Sequence, residues 1–335
     1  MSRPIIQSCL RRFSDICTPS RKLSLTRRHV LFYASCNFLQ FGRVSCPSYP
    51  LSASMLVSLF RLLSFLPLPV LHAIGFAVGW LVFLASPSYR RRLTENITLA
   101  GHRAHLYRAV GEAGKGMFEL PFIWCANPER VLRTARIVDW QLVQTGLDAK
   151  SGIVFLTPHL GCFEISAQSV ARHASLSVLY RPPRKAALKP LIEGARARAN
   201  LHLAPANLAG VRILLKALKS GQAIGLLPDQ VPQNGEGVWA DFFGKPAYTM
   251  TLPAKLQQMS GAPIILAYAE RLSWGRGYAI HFVPFEGELG DTPEQQARAI
   301  NLAMEKLIAR CPAQYIWSYN RYKVPQGVSA PGAAQ

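Results

Sequence analysis

The segment Thr157-Pro-His-Leu-Gly-Cys-Phe-Glu164 sets an imidazole, His159, ahead of a carboxylate, Glu164, with four residues between them. Such a pair suits transfer of an acyl group to a hydroxyl. A hydroxyl is a poor nucleophile near neutral pH, so a base must take its proton as it attacks a carbonyl. A carboxylate bonded to one imidazole nitrogen fixes the tautomer and stabilises the imidazolium that forms. Gly161 permits a tight turn or a close backbone approach to a substrate. The spacing predicts that Glu164 enters the first turn of a following helix, Ile165 to Arg172, and folds back toward His159. Alone, this spacing is weakly specific, because a lone histidine beside an apolar strand is more often structural. Cys162 adds a second chemistry, an acyl-cysteine relay with His159 as its base. A small buried thiol is the plainer reading of that residue.

Gly152 to Thr157 has the length and β-branched content of a buried strand. His159 therefore falls at a strand's C-terminal end, where open α/β sheets place their ligand sites. Further strands are predicted at Ser177–Tyr180, Ala223–Leu227, Pro263–Tyr268 and Tyr278–Val283. Helical spacing marks Leu93–Trp124, Lys185–Asn200 and Gly210–Lys219. The fold class implied is α/β, a mixed and mostly parallel sheet flanked by helices. No P-loop, GxGxxG or G-x-S-x-G occurs. The seven cysteines include no CxxC, and four of them precede residue 55, which argues against a disulfide scaffold. His102 and His105 have no acid or cysteine at a metal-ligand spacing, so no metal site is expected.

From Leu62 to Ser86 there is no Asp, Glu, Lys or Arg. At about 1.5 Å per helical residue, this run matches a bilayer core of roughly 30 Å. Pro67 and Pro69 kink it or confine the regular helix to the part after them. A buried core helix is the alternative, but Arg90, Arg91 and Arg92 come next and fit anionic headgroups on the cytoplasmic side. An interfacial anchor that does not span also fits. The net charge of +20 implies an anionic partner: nucleic acid, anionic lipid, a phosphorylated substrate or an acidic carrier protein. Arg184, Lys185, Lys189, Arg196 and Arg198 form a cationic region that is either a solvated face or a dock for such a partner. No nucleic-acid-binding motif is present, and no nucleic-acid partner is expected. Residues 1–54, rich in Ser, Arg and Cys, read as a transit-like segment or as sequence upstream of a start at Met55, and the second reading is preferred. Residues 55–86 are then the anchor and 87–324 the catalytic domain. The Pro- and Gly-containing tail, 325–335, is expected to be disordered.

The chain resembles the HX4D/E acyltransferases of the glycerolipid type, and more specifically the late acyltransferases of lipid A biosynthesis. The resemblance runs from Met55 to Lys323 and rests on an ordered series of segments. These are Asn96-Ile-Thr-Leu-Ala after a basic cluster, Phe118-Glu119 before Trp124, His159-x4-Glu164 and Tyr180-Arg-Pro182. They continue with Leu227-Pro-Asp-Gln230, Phe242-Phe-Gly244, and Tyr315-Ile-Trp317 leading to Arg321-Tyr-Lys323. The chain departs from the family at Cys162-Phe163 and at Ser318-Tyr-Asn320, which bears on acyl-chain or acceptor preference more than on reaction type. The resemblance implies a His159 base oriented by Glu164, Arg181 near acceptor or carrier phosphates, and Asp229 in a family-type Asp-Gln element of less definite role. It implies acyl-acyl-carrier protein as co-substrate, a lipid A precursor as acceptor, and membrane lipids as surroundings. No metal or redox cofactor is implied. The expected location is the inner membrane, with the catalytic domain on the cytoplasmic side. Acylation of another membrane glycolipid or aminolipid, or a non-catalytic membrane-attached binding protein of the same fold, are the rival readings.

Overall fold

The apolar stretch after Arg61 breaks at Pro67, and the computed structural model places its helices on either side of that break. The structure describes residues 51–181, 189–197, 199–233 and 235–332, all within one unit, Tyr49–Gln335. Helix α1 covers Leu51–Leu63 and α2 covers Leu68–Ala85. Pro67 is extended at the N-cap and Pro69 sits in the first turn of α2, where a missing N–H breaks no helical hydrogen bond. The two prolines thus confine the long apolar helix to the residues beyond them. The start of α1 at Leu51 puts the 54/55 boundary inside a helix, and residues 1–50 lie outside the described residues.

Leu93–Trp124, expected as one helix, is three. They are α3 (Pro87–Leu99), α4 (Leu106–Phe118) and α5 (Leu120–Cys125). Gly101, at φ 77°, ends the first, and Pro121 cannot donate the hydrogen bond that would continue the second. Helices α2 and α4 then pack backbone to backbone. A Cβ on Gly75 would lie 2.7 Å from the Gly114 carbonyl oxygen, and one on Gly79 2.5 Å from that of Val110. Replacing Gly79 with leucine is therefore expected to pry α2 off α4 and lower the unfolding midpoint by several degrees, as measured by calorimetry in detergent.

The body is a seven-stranded sheet in the order β1-β9-β8-β2-β5-β3-β4. Its strands are β1 (Ala135–Val138), β2 (Ile153–Leu156), β3 (Leu176–Tyr180), β4 (Leu201–Pro205), β5 (Ala223–Leu226), β8 (Ile264–Arg271) and β9 (Tyr278–Pro284). The five from β8 to β4 run parallel; β9 pairs antiparallel to β8, and β1 runs with β9. The expected mixed, mostly parallel sheet is what forms. The short strands β1 and β4 escaped the sequence reading, since four or five residues with polar interruptions carry little periodicity. So did a separate hairpin, β6 (Gly237–Phe242) and β7 (Lys245–Met250). Its two-residue turn, Phe243-Gly244, has positive φ at both positions, which matches the twist of the flanking strands.

Alternation along the strands feeds two cores. Val154, Leu156, Ile224, Leu226 and Leu266 face α10 (Leu208–Lys219), α11 (Leu252–Ser260) and α12 (Pro293–Arg310). Ile153, Phe155, Ala223 and Ile265 face the opposite layer, which includes α5, α7 (Trp140–Asp148) and α8 (Phe163–Val170). Two short helices, α6 (Pro128–Leu132) and α9 (Lys189–Arg196), complete that layer. Past Val324 the described residues form turns only, and the Ser329 carbonyl accepts a 3.0 Å hydrogen bond from Trp239 Nε1.

Candidate active site

Strands β2 and β5 are adjacent, parallel and in register, with Leu156 opposite Leu226. Counting three residues beyond each reaches His159 on one strand end and Asp229 on the other. Equal offsets on neighbouring parallel strands bring the two side chains together at the sheet's C-terminal edge. His159 Nδ1 lies 2.8 Å from Asp229 Oδ1, and the His159 amide donates to Asp229 Oδ2 at 2.9 Å. Burial works to raise the Asp229 pKa, but His159 and, at longer range, Arg321 outweigh it and hold the carboxyl below its ordinary value. Arg321 is itself buried, donating to the Tyr248 carbonyl and the Thr249 hydroxyl at 2.7 Å each. The outer imidazole nitrogen, Nε2, faces the amide nitrogen of exposed Gln230 at 2.9 Å. In the neutral ring, a carboxylate at Nδ1 and an N–H donor at Nε2 favour the tautomer with its proton on Nδ1. Nε2 then keeps the lone pair that a base needs.

Glu164 is elsewhere. The hydrogen bond to His159 that the spacing assigned to it is made by Asp229 in this structure. Glu164 takes both the Nε and an Nη of Arg196 on α9, and accepts from Trp124 Nε1 at 3.4 Å. The loop between the two motif residues explains the separation. Gly161 adopts φ 60°, a conformation favouring glycine, and a Cβ there would run into the Ala269 carbonyl. Its amide donates to the Gln314 carbonyl at 3.0 Å, and the Cys162 amide donates to Ala269 at 2.9 Å. Thus tied to β8, the chain starts α8 with Glu164 facing α9 rather than the imidazole. The carbonyl of Gly161 accepts from Arg271 Nη2 at 3.3 Å. Both polar groups of Gly161 are therefore engaged by protein, and this glycine shapes the loop. Phe163 contributes an edge-to-face contact with the His159 ring at 4.7 Å.

The other predicted residues fall at different distances from the imidazole. Arg181 is exposed immediately after β3, within electrostatic reach of the Tyr319 hydroxyl. Arg184, Lys185 and Arg198 lie outside the described residues. Cys162 is fully buried, and burial together with the nearby Glu119 carboxylate pushes its thiol well above the ordinary range. A buried, protonated thiol is a poor acyl acceptor. Cys162→Ala is expected to keep turnover within a few fold of wild type, and its turnover number checks this. Among the described residues, no three His, Cys, Asp or Glu side chains converge as a metal site.

The sequence reading names Arg196 only in a cationic region and Gln230 only beside Asp229; their contacts with Glu164 and His159, and the part of Arg271, escape it because the partners come from different elements. Only the strand register could have paired Asp229 with His159.

Similarity to known proteins identifies the family. A family model described as bacterial lipid A biosynthesis acyltransferase matches residues 42–324. The lipid A biosynthesis lauroyltransferase of Escherichia coli (strain K12) is 25% identical over 273 residues, 78% of this chain and 89% of the relative. The palmitoleoyltransferase of the same organism is 27% identical over 281 residues, 79% of this chain and 89% of that protein. A lipid A biosynthesis acyltransferase of Haemophilus influenzae is 24% identical over 288 residues, 82% of this chain and 91% of the relative. With nearly the whole described body inside the match, this chain belongs to the bacterial lipid A biosynthesis acyltransferase family.

Proposed function

We propose that the chain transfers a fatty acyl group from acyl-acyl-carrier protein to a hydroxyl of a lipid A precursor, with His159 as general base. The observation that carries this reading is the Asp229–His159 pair, in which the carboxylate engages Nδ1 and Nε2 is directed away from it, toward exposed Gln230. In the first step, Nε2 takes the hydroxyl proton as the oxygen attacks the thioester carbonyl. Asp229, ionised and bonded to Nδ1–H, stabilises the imidazolium. The tetrahedral oxyanion then collapses, the C–S bond breaks, and the leaving thiolate takes the proton from Nε2.

The oxyanion needs a partner outside the motif loop. The amides of His159, Leu160, Gly161 and Cys162 are occupied by Asp229, Pro158, Gln314 and Ala269 respectively. Cations at the edge of the site, Arg181 and Arg196, are the groups suited to that charge and to substrate phosphates. Glu164 serves the reaction by fixing the Arg196 guanidinium. Glu164→Gln and Arg196→Ala are therefore each expected to lower kcat/KM, with the double variant no worse than the more damaging single one. The reaction as written uses no metal or redox group. An acyl-carrier donor places the domain on the cytoplasmic side of the inner membrane, attached through α1 and α2.

The test is mass spectrometry of lipid A from a strain lacking the gene, complemented with wild type or with His159→Ala. Loss of one acyl chain, restored by wild type alone, supports the proposal. Unaltered lipid A in the deletion strain, with a change in another glycolipid or aminolipid, moves the acceptor to that class.

A further inference from the structure

Helix α2 is apolar all round, yet the protein covers only one stripe of it: Leu68, Leu71, His72, Gly75, Gly79 and Phe83. The cover is α4, lying along α2 with the backbones in contact at Gly75, Gly79 and Gly114. At the start of α2, His72 Nε2 lies 3.2 Å from a buried oxygen of Glu119, next after α4. Glu119 and Glu112 both bind Arg271 of β8, and Lys115 binds Glu112. Helix α2 is therefore fixed lengthwise to a helix that is itself tied to the catalytic domain, by these ion pairs and by Leu106, Ala109 and Val110 in the hydrophobic core. An α2 standing across a bilayer would carry Glu112 and Lys115 into hydrocarbon, or would leave α4 and strip His72 from its carboxylate. Both alternatives are expensive.

The uncovered side has a composition of its own. Val70, Ile74, Phe76, Leu81, Val82 and Leu84 are exposed along α2. Leu59, Leu62 and Phe65 extend the apolar surface from α1. Trp274, 88% exposed, stands on a turn whose Gly275 packs against Pro69 at the start of α2. Arginines flank this strip along the chain: Arg61 before α2, and Arg90, Arg91 and Arg92 after it. Arg90 also donates to the Phe83 and Leu84 carbonyls at the C-terminus of α2, at 3.3 and 3.1 Å. An apolar strip with an exposed tryptophan and cationic margins fits the surface of an anionic leaflet.

We propose that α1 and α2 lie flat in one leaflet as an in-plane anchor, and that neither helix crosses the membrane. The inference rests on the membrane attachment proposed above. It gives that attachment a purpose for the chemistry. Phe60 of α1 stacks on Trp124 at 5.8 Å, and Trp124 contacts Glu164. The flat anchor thus sets the site's edge at the headgroup level, where a lipid acceptor presents its hydroxyl.

The test is a depth profile. Spin labels are placed singly by Val70→Cys, Ile74→Cys, Leu81→Cys and Leu84→Cys in a full chain whose native cysteines are serine. All four sites are exposed, so the labels leave the core intact. Oxygen and nickel accessibilities are read with phosphatidylglycerol/phosphatidylethanolamine vesicles. The in-plane anchor gives all four labels one shallow depth, about 5–10 Å below the headgroups. A profile deepest mid-helix, with Val70 and Leu84 at opposite headgroup levels, means a spanning helix of about 27 Å and overturns the proposal while keeping attachment. Labels open to water despite vesicles overturn the attachment itself. Spectra broadened by label–label coupling without lipid, and unchanged with it, assign the face to a second copy and overturn the proposal too.

Discussion

His159→Ala is expected to lower kcat by about 10²–10⁴-fold, with a modest fall in the unfolding midpoint. The imidazole is mostly buried, with 12% of its side chain exposed, and its removal takes a hydrogen-bond partner from buried Asp229. What it chiefly removes is the base proposed at the strand end. Asp229→Asn should approach the same loss, because an amide cannot stabilise the imidazolium and can hold the ring in the wrong tautomer. The double variant should be no worse than His159→Ala alone, since the two residues act as one unit. Single-turnover measurement of acyl transfer by purified protein checks all three. Additive losses would mean that Asp229 acts on something other than His159.

The second large effect concerns stability. Arg271 is buried and binds Glu119 through Nε at 2.8 Å and Nη2 at 2.6 Å, and Glu112 through Nη1 at 2.8 Å. Tyr278 donates to the same Glu119 oxygen at 3.0 Å. Arg271→Ala would leave a buried carboxylate without its main counter-charge, which costs about 3–5 kcal/mol. Arg271→Met combined with Glu119→Gln should recover part of that loss, because no isolated charge remains. Chemical denaturation in detergent reads both.

The same cluster sets the response to acid. Burial raises the Glu119 pKa, but Arg271 more than reverses this and brings it from 4.5 down to about 2. A depressed carboxylate contributes stability that is fully present above pH 4.5 and is lost as the pH falls toward about 2. Acid unfolding of wild type should therefore steepen across that window. Glu119→Gln, less stable at neutral pH, should lack this component of the slope.

How much of the site can be read from the chain differs from residue to residue. His159 is legible because a short β-branched strand runs directly into it, and the end of a central parallel strand is a ligand-binding position. The apolar α2 is legible because 18 consecutive residues lack charge, and its start is legible because two prolines mark it. The family resemblance is legible in the order of several segments, each short on its own. Glu164 shows the limit: a count of residues along the chain says nothing about how a turn directs the next side chain. A positive-φ glycine and two backbone hydrogen bonds to distant residues direct Glu164 to Arg196.

Asp229 shows the complement. It stands 70 residues from His159, yet the register of β2 on β5 brings the two within hydrogen-bond distance. The sequence by itself determined the local elements, the apolar helix and the position of the imidazole, because these depend on patterns a few residues long. Only the tertiary structure decided which carboxylate meets the imidazole and which face of α2 stays bare. Those outcomes depend on pairings between strands and helices far apart in the chain, where burial, charge and backbone contact act together.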